Sequence, residues 1–523
     1  MGLLRPRAYD QLYGRFRWDL PDVLNMAEQV LDGWAAVEPD RIAVIDLSHG
    51  RRTDWTYGML WQLSRRVEAA LIEKGVERGD RVGVLLSQEP LCLAAHAAAW
   101  RLGAISVPLF TLFRRDALEA RIDDSGLGVV VSDAEGRETL AGMGLAVLTE
   151  RDLPQGRSAR PSAAGVETGP DDAAVLIYTS GTTGAPKGAL HGHRMLTGHL
   201  PGVEISHDFL GDRGDVLWTP ADWAWIGGLF DVAMPGLALG VPVVAARLPK
   251  FGAEECLRVC HDAGVRNAFL PPTALRMLRA EGANLRGLRS VASGGEPLGP
   301  EMLAWGRGAL GVSINEFYGQ TECNMVAASC GRLFDAWPGF VGRAVPGHHL
   351  AVLDASGRPT SGEGEIAVKR GSASMMLEYW RKPEETAAKF AGRWMLTGDR
   401  GVLEGGYLRF VGREDDVISS AGYRIGPAEI EDCLMTHASV ATVGVVGKPD
   451  ALRGAIVKAY VVPRAGIEPS DALVAELQAW VRDRLASHCY PREIAFLDAL
   501  PMTVTGKVVR RELRARAERE AGA

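Results

Sequence analysis

The sequence is poor in cysteine, has no long uncharged apolar run and carries no excess of positive charge; each shortage removes a class of protein. Seven cysteines (Cys92, Cys256, Cys260, Cys323, Cys330, Cys433 and Cys489) are scattered over 523 residues without a CxxC pair. That argues against a disulfide framework and for a reducing compartment. Cys256 and Cys260 stand one helical turn apart, too few ligands for a tetrahedral zinc site. The most apolar stretch, residues 227–246, is interrupted by Asp231, Pro235 and Pro242, so folded core is expected there rather than a membrane span. Acidic residues outnumber basic ones, 65 to 58, for a net charge of −7, which supplies no global attraction for nucleic acid or an anionic membrane. Residues Met1 to Asp10 lack an apolar signal core, and Pro6 stands where a myristoylation motif needs Ser or Thr. The expectation is a cytoplasmic protein with neither a nucleic-acid partner nor integral membrane association, with a homodimer left open.

What the sequence has in excess is glycine: 62 of 523 residues, about 12%, against a usual share near 7%. Without a collagen period, the surplus reads as tight turns and close backbone approaches. From residue 55 onward, amphipathic helical patterns alternate with short β-branched runs: Tyr57–Lys74 then Arg81–Leu86, Pro90–Leu102 then Ala104–Leu109, Ala253–Ala263 then Asn267–Leu270. Such alternation predicts an α/β fold of parallel sheets covered by helices. Residues 151–172 are rich in Pro, Gly and Ser and read as a surface connection. Turn-rich strands (Gly362–Lys369, Tyr407–Phe410) suggest a β-rich subdomain. After them, Ile430–Met435, Val440–Val446, Val457–Val462 and Asp471–Leu485 form a helix, strand, strand, helix pattern. The expected division is a large domain over 1–411, a hinge at 412–417 and a small, mobile α+β domain over 418–523.

The strongest local signal is Tyr178-Thr-Ser-Gly-Thr-Thr-Gly-Ala-Pro-Lys-Gly188 at the end of an apolar strand, Val175–Tyr178. Ligands gather at the carboxyl ends of strands in such folds. Small residues expose backbone N–H groups and hydroxyls to phosphate oxygens, and Lys187 adds a compact cation. It is not a P-loop, because Pro186 precedes the lysine and Gly188 follows it.

With this loop, the chain resembles the adenylate-forming superfamily of acyl-CoA and aryl-CoA synthetases, luciferases and peptide-synthetase adenylation domains. Further segments follow in that superfamily's order: Gly294-Gly-Glu-Pro297, Tyr318-Gly-Gln-Thr-Glu322, Thr397-Gly-Asp399, Gly412-Arg-Glu-Asp-Asp-Val417, Gly422-Tyr-Arg-Ile-Gly-Pro-Ala-Glu-Ile-Glu431 and Leu500-Pro-Met-Thr-Val-Thr-Gly-Lys507. Met502 and Val508 replace the more usual Lys and Ile of the last segment.

The resemblance implies an ATP-dependent ligase that makes an acyl-adenylate, releases pyrophosphate and passes the acyl group to CoA. It assigns phosphate binding to Thr179, Ser180, Gly181, Thr182, Thr183, Gly184 and Lys187, and the adenine to Gly295, Glu296 and Pro297. Thr321 would donate to the α-phosphate, Glu322 would bind Mg²⁺, and Asp399 and Arg413 would hold the ribose. Glu316, Tyr318, Gln320 and Arg424 complete the nucleotide set. Lys507 would touch both the carboxylate and the α-phosphate. Asp415 would be the hinge on which the small domain turns for the second half-reaction, bringing Gly422 and Tyr423 to the pantetheine and Arg482 toward the CoA phosphates.

The choice of acid rests on Trp225, Ile226, Gly227, Gly294 and Gly319. Acetate-specific members of the superfamily carry a tryptophan in the place of Gly319, a valine in that of Gly294 and a Val-Thr pair in that of Ile226-Gly227. Glycine at three of these places predicts a widened channel and a medium-chain fatty acid, unless Trp223, Trp225, Phe230 or Met234 refills it. Branched or aryl acids, and carrier-protein phosphopantetheine as the acceptor, stand as alternatives.

Overall fold

The computed structural model describes the chain except residues 1–2, 4, 6–7, 49, 114, 156–165, 180–186, 249–250, 297, 414–415, 421–422, 451–453, 486–489, 504–506 and 522–523. Two large sheets organise the amino-terminal four-fifths. In the first, Ala146–Leu148, Val129–Ser132, Arg81–Leu85, Ile105–Pro108 and Ala173–Thr179 run parallel, and Lys187–Gly192 and Glu378–Tyr379 close the edge antiparallel. In the second, Ile42–Asp46, Val243–Ala245, Leu217–Trp218, Asn267–Phe269, Ser290–Gly294 and Ile314–Gln320 run parallel.

At Ile314–Gln320 the second sheet reverses direction. It continues through Asn324–Ala328, Gly342–Ala344, Tyr407–Arg413, Trp394–Glu404, Gly364–Lys369 and Leu350–Leu353, all antiparallel. The expected β-rich part is therefore an extension of a parallel sheet.

The helix Pro90–Arg101 is apolar apart from His96 and Arg101 and buried along its length, with Arg101 paired to Asp32 and Glu68, as a helix without a polar face requires. Its residues share one core with Val84 and Val131 of the first sheet and Val44 and Val243 of the second. Residues 226–246 are short helical segments and a strand, Val243–Ala245, inside the fold. No helix among the described residues is long and apolar enough to cross a membrane.

After residue 417 a third sheet pairs Val440–Asp450 with Gly454–Pro463 antiparallel, and the latter with Glu493–Phe496 parallel. Helices Pro427–Met435 and Asp471–Arg484 pack on it around a core that includes Ile430, Leu434, Val445, Val461 and Leu477. The strand Tyr407–Arg413 runs two residues into the expected hinge. Glu493–Phe496 carries no clear period, and only its register beside Lys458–Val461 makes it a strand.

Candidate active site

The glycine-rich loop falls between two paired strands, with Tyr178 opposite Gly188 and Thr179 opposite Lys187. Ser180, Gly181, Thr182, Thr183 and Gly184 lie outside the described residues. Thr179 Oγ1 donates to the Lys187 carbonyl at 3.3 Å, and Lys187 Nζ stands 5.7 Å from the centre of the Tyr379 ring. The residues flanking the loop are thus paired as antiparallel strands next to the edge of the first sheet.

The second sheet delivers the acidic groups at its point of reversal. Strand Ile314–Gln320 ends beside Thr321 and Glu322, and the chain returns at Asn324 with φ 56°. The Tyr379 hydroxyl donates to Glu322 Oε1 at 2.5 Å, and Met376 N donates to the Glu322 carbonyl at 2.8 Å.

Asp399 is buried and sits directly opposite Arg413 in the register of strands Trp394–Glu404 and Tyr407–Arg413. The Tyr318 hydroxyl and Gln320 Nε2 both donate to Asp399 Oδ2, each at 2.6 Å. Oδ1 faces Arg413 Nε at 3.7 Å. Burial pushes the Asp399 carboxyl above its ordinary value, against these partners. With one oxygen occupied by protein donors, the other is left for a hydroxylated ligand.

Glu296 pairs with Arg276 Nη1 at 2.9 Å. Glu316 accepts Leu298 N at 3.3 Å, and burial, with the charge of Asp432, pushes its carboxyl up to about 8. Pro297 lies outside the described residues. Gly295 has φ 95°, and a β-carbon there would come within 3.5 Å of the Trp225 ring and 3.7 Å of Lys507 Nζ.

Lys507, from the carboxy-terminal part of the chain, therefore lies beside Gly295 and Trp225. Its Nζ lies 5.6 Å from the Trp225 ring centre. Burial pulls its pKa down, while Glu296 and Asp399 oppose that shift and Arg413 adds to it. Arg413 is half exposed, and Arg482 is exposed on its helix with Asp483 at 3.6 Å. Asp415 and Gly422 are outside the described residues. Tyr423 and Arg424 belong to strand Tyr423–Ile425, but their side chains are not described.

At each of the three glycines expected to hollow out an acyl channel, a neighbouring group stands where a β-carbon would be. A β-carbon on Gly227 would fall 2.5 Å from Cζ3 of Trp225, and one on Gly294 would fall 2.5 Å from Cε2 of Phe317. On Gly319 it would overlap the Asn324 carbonyl oxygen. Two glycines are thus filled by aromatic rings and the third by a close backbone approach at a bulge between Tyr318 and Gly319. Trp225, Phe269 and Phe317 form a continuous wall, with ring centres 5.9 and 5.3 Å apart. Trp223, Phe230 and Met234 are core side chains, each at most 1% exposed, and Ile226 is buried beside them.

Sequence reasoning missed Tyr379, Phe317 and Lys389, whose Nζ lies 3.4 Å from Gln320 Oε1 and 3.3 Å from the Thr397 carbonyl. None stands at a spacing that announces phosphate or ribose chemistry; Tyr379 reads only as part of the apolar run Met375–Trp380.

The sequence pattern of the AMP-binding enzyme family covers residues 31–380, and that of the AMP-binding enzyme C-terminal domain covers residues 429–507. The chain belongs to the AMP-binding enzyme family. It is 33% identical to the acetyl-coenzyme A synthetase of Bacillus subtilis (strain 168), over 97% of this chain and 95% of that protein. It is 31% identical to the mitochondrial acyl-coenzyme A synthetase ACSM3 of Rattus norvegicus, over 97% and 93%. A crystal structure of a Brucella canis acyl-CoA synthetase superimposes with a TM-score of 0.74 at 33% identity, covering 98% of this chain and 99% of that one. This member of the family is an AMP-forming acyl-CoA synthetase that uses ATP, CoA and a small carboxylic acid.

Proposed function

We propose that the synthetase activates a short-chain aliphatic acid, with Lys507 bringing the acid's carboxylate and the α-phosphate of ATP together. Two unit charges of like sign at about 4 Å repel by roughly 4 kcal/mol at an effective dielectric of 20. A buried cation placed between them offsets that cost where water cannot. Lys507 is half-buried, and its charge is favoured by Glu296 and Asp399. Asp399 Oδ1 and Arg413 would take the ribose hydroxyls, and Lys187 with its loop the outer phosphates.

A magnesium ion fits beside Glu322. Mg²⁺ takes one or two protein carboxylates and completes its shell with phosphate oxygens and water, and Glu322 offers one carboxylate, with Oε1 already occupied by Tyr379. The ion would supply charge neutralisation at the leaving pyrophosphate. Glu322 and the Thr321 hydroxyl would face it and the α-phosphate from the sheet reversal. In the second half-reaction, residue 415 would be the pivot and Arg482 the contact for the CoA phosphates.

One observation carries the preference for a short acid. The Trp225 ring fills the place beside Gly227 and lies close to Lys507 Nζ, so a carboxylate held by that lysine starts its chain against an indole. The medium-chain reading keeps one support: Trp225 is only partly buried, whereas Trp223 beside it is core, so its ring has room to turn and lengthen the channel. A kinetic series from acetate to dodecanoate, with benzoate included, separates the two. An optimum at two to four carbons upholds the short-acid reading, in which methylenes past the wall gain nothing at about 0.8 kcal/mol each. An optimum at six or more carbons overturns it. Release of acyl-CoA from free CoA excludes a carrier protein as the required acceptor.

A further inference from the structure

We propose that Tyr379 is a positioning residue for the metal step: its hydroxyl fixes the Glu322 carboxylate, and its ring seats the phosphate-loop lysine. This rests on the reading of Glu322 as the magnesium ligand. The short strand Glu378–Tyr379 joins the two halves of the nucleotide site. It pairs with Lys187–Gly192, Tyr379 opposite Ala189. Leu377 N donates to the Leu190 carbonyl and Trp380 N to the Gly188 carbonyl, both at 2.7 Å. On its other side, Met376 N donates to the Glu322 carbonyl at 2.8 Å. A single segment therefore holds both the strand that carries Lys187 and the turn that carries Glu322.

The side chain repeats this link. Tyr379 is buried, its hydroxyl donates to Glu322 Oε1 at 2.5 Å and the Lys187 ammonium stands 5.7 Å from its ring centre, within range of a cation–π contact. A phenol that donates to one carboxylate oxygen stops rotation of the group and leaves Oε2 for a cation. The backbone is fixed as well, because Tyr379 N donates to Thr386 Oγ1 at 2.9 Å.

Hydrogen bonds to metal-ligating side chains typically change metal affinity 10- to 100-fold. The test uses the full chain with a non-hydrolysable ATP analogue and Mn²⁺, with free metal read by electron paramagnetic resonance. Tyr379→Phe is expected to weaken Mn²⁺ binding about tenfold, leaving binding of the analogue in EDTA and the thermal midpoint unchanged. Glu322→Gln, measured alongside, is expected to weaken it further. If Glu322→Gln weakens metal binding and Tyr379→Phe does not, the role of Tyr379 is overturned while that of Glu322 stands. If neither variant moves metal binding, the Glu322 reading itself is overturned. A Tyr379→Phe protein that loses binding in EDTA as well would show a merely structural tyrosine and would also overturn the proposal.

Discussion

The nucleotide side and the acyl side of this cleft are built by opposite means. On the side proposed for the nucleotide, the reading rests on side chains that are present: Asp399 bonded by Tyr318 and Gln320, and Glu322 bonded by Tyr379. On the acyl side, the question turned on side chains that are absent, at Gly227, Gly294 and Gly319, and there the neighbours decide. Trp225, Phe317 and the Asn324 carbonyl occupy the places that glycine vacates. Residue identity alone does not set pocket volume, because close packing lets no vacancy stand unless the surrounding chain also withdraws.

The strongest way to test this contrast is Lys507→Ala, since that residue is proposed to meet both the acid's carboxylate and the α-phosphate. Carboxylate-dependent exchange of pyrophosphate into ATP should fall by about 10² to 10³, the usual loss for one preorganised group that stabilises developing charge. Next in size, Asp399→Ala should raise the KM for ATP about tenfold or more, as expected for hydrogen bonds to a charged group, and leave the order of preferred acids unchanged. Trp225→Ala should do the reverse. It should move the optimum to longer acids, with about fourfold in kcat/KM for each methylene newly buried, and change the KM for ATP little. An Asp399→Ala enzyme with an altered acid preference would break the separation of the two sides.

The smallest effects should appear in pH profiles. Burial raises the Asp399 carboxyl above 3.8. As pH falls through that raised value the carboxylate is protonated, so kcat/KM for ATP should decline at a higher pH than an ordinary aspartate would set. Lys507 moves the other way: burial lowers it from 10.5, so adenylation should fade on the alkaline side before an ordinary lysine loses its proton. Asp399→Asn should remove the acidic limb and Lys507→Arg should move the alkaline one.

Much of this was legible in the sequence for a physical reason. The alternation of helix and strand periods between residues 57 and 109 is local, and the elements formed within a residue or two of expectation. Asp399 opposite Arg413 was less direct: the two residues lie in separate motifs, and only the antiparallel register sets them side by side. Tyr379 was invisible, since its partners at positions 187 and 322 are far along the chain. The packing at the acyl positions was not legible, because the ring beside Gly227 comes from Trp225, two residues earlier, folded back over the glycine.

The two sides also differ in how they are anchored. Asp399, Arg413 and Lys187, among the groups proposed to handle the nucleotide, sit on strands paired into sheets, and Glu322 stands in the turn at the end of another. Trp225 instead begins the short helical pieces of residues 226–238, which are held by burial rather than by a ladder of backbone bonds. On the proposed reading, substrate preference and phosphoryl chemistry would reside in separately replaceable parts of the chain, so a lineage could try new acids by redrawing one helical segment while inheriting its ATP machinery intact.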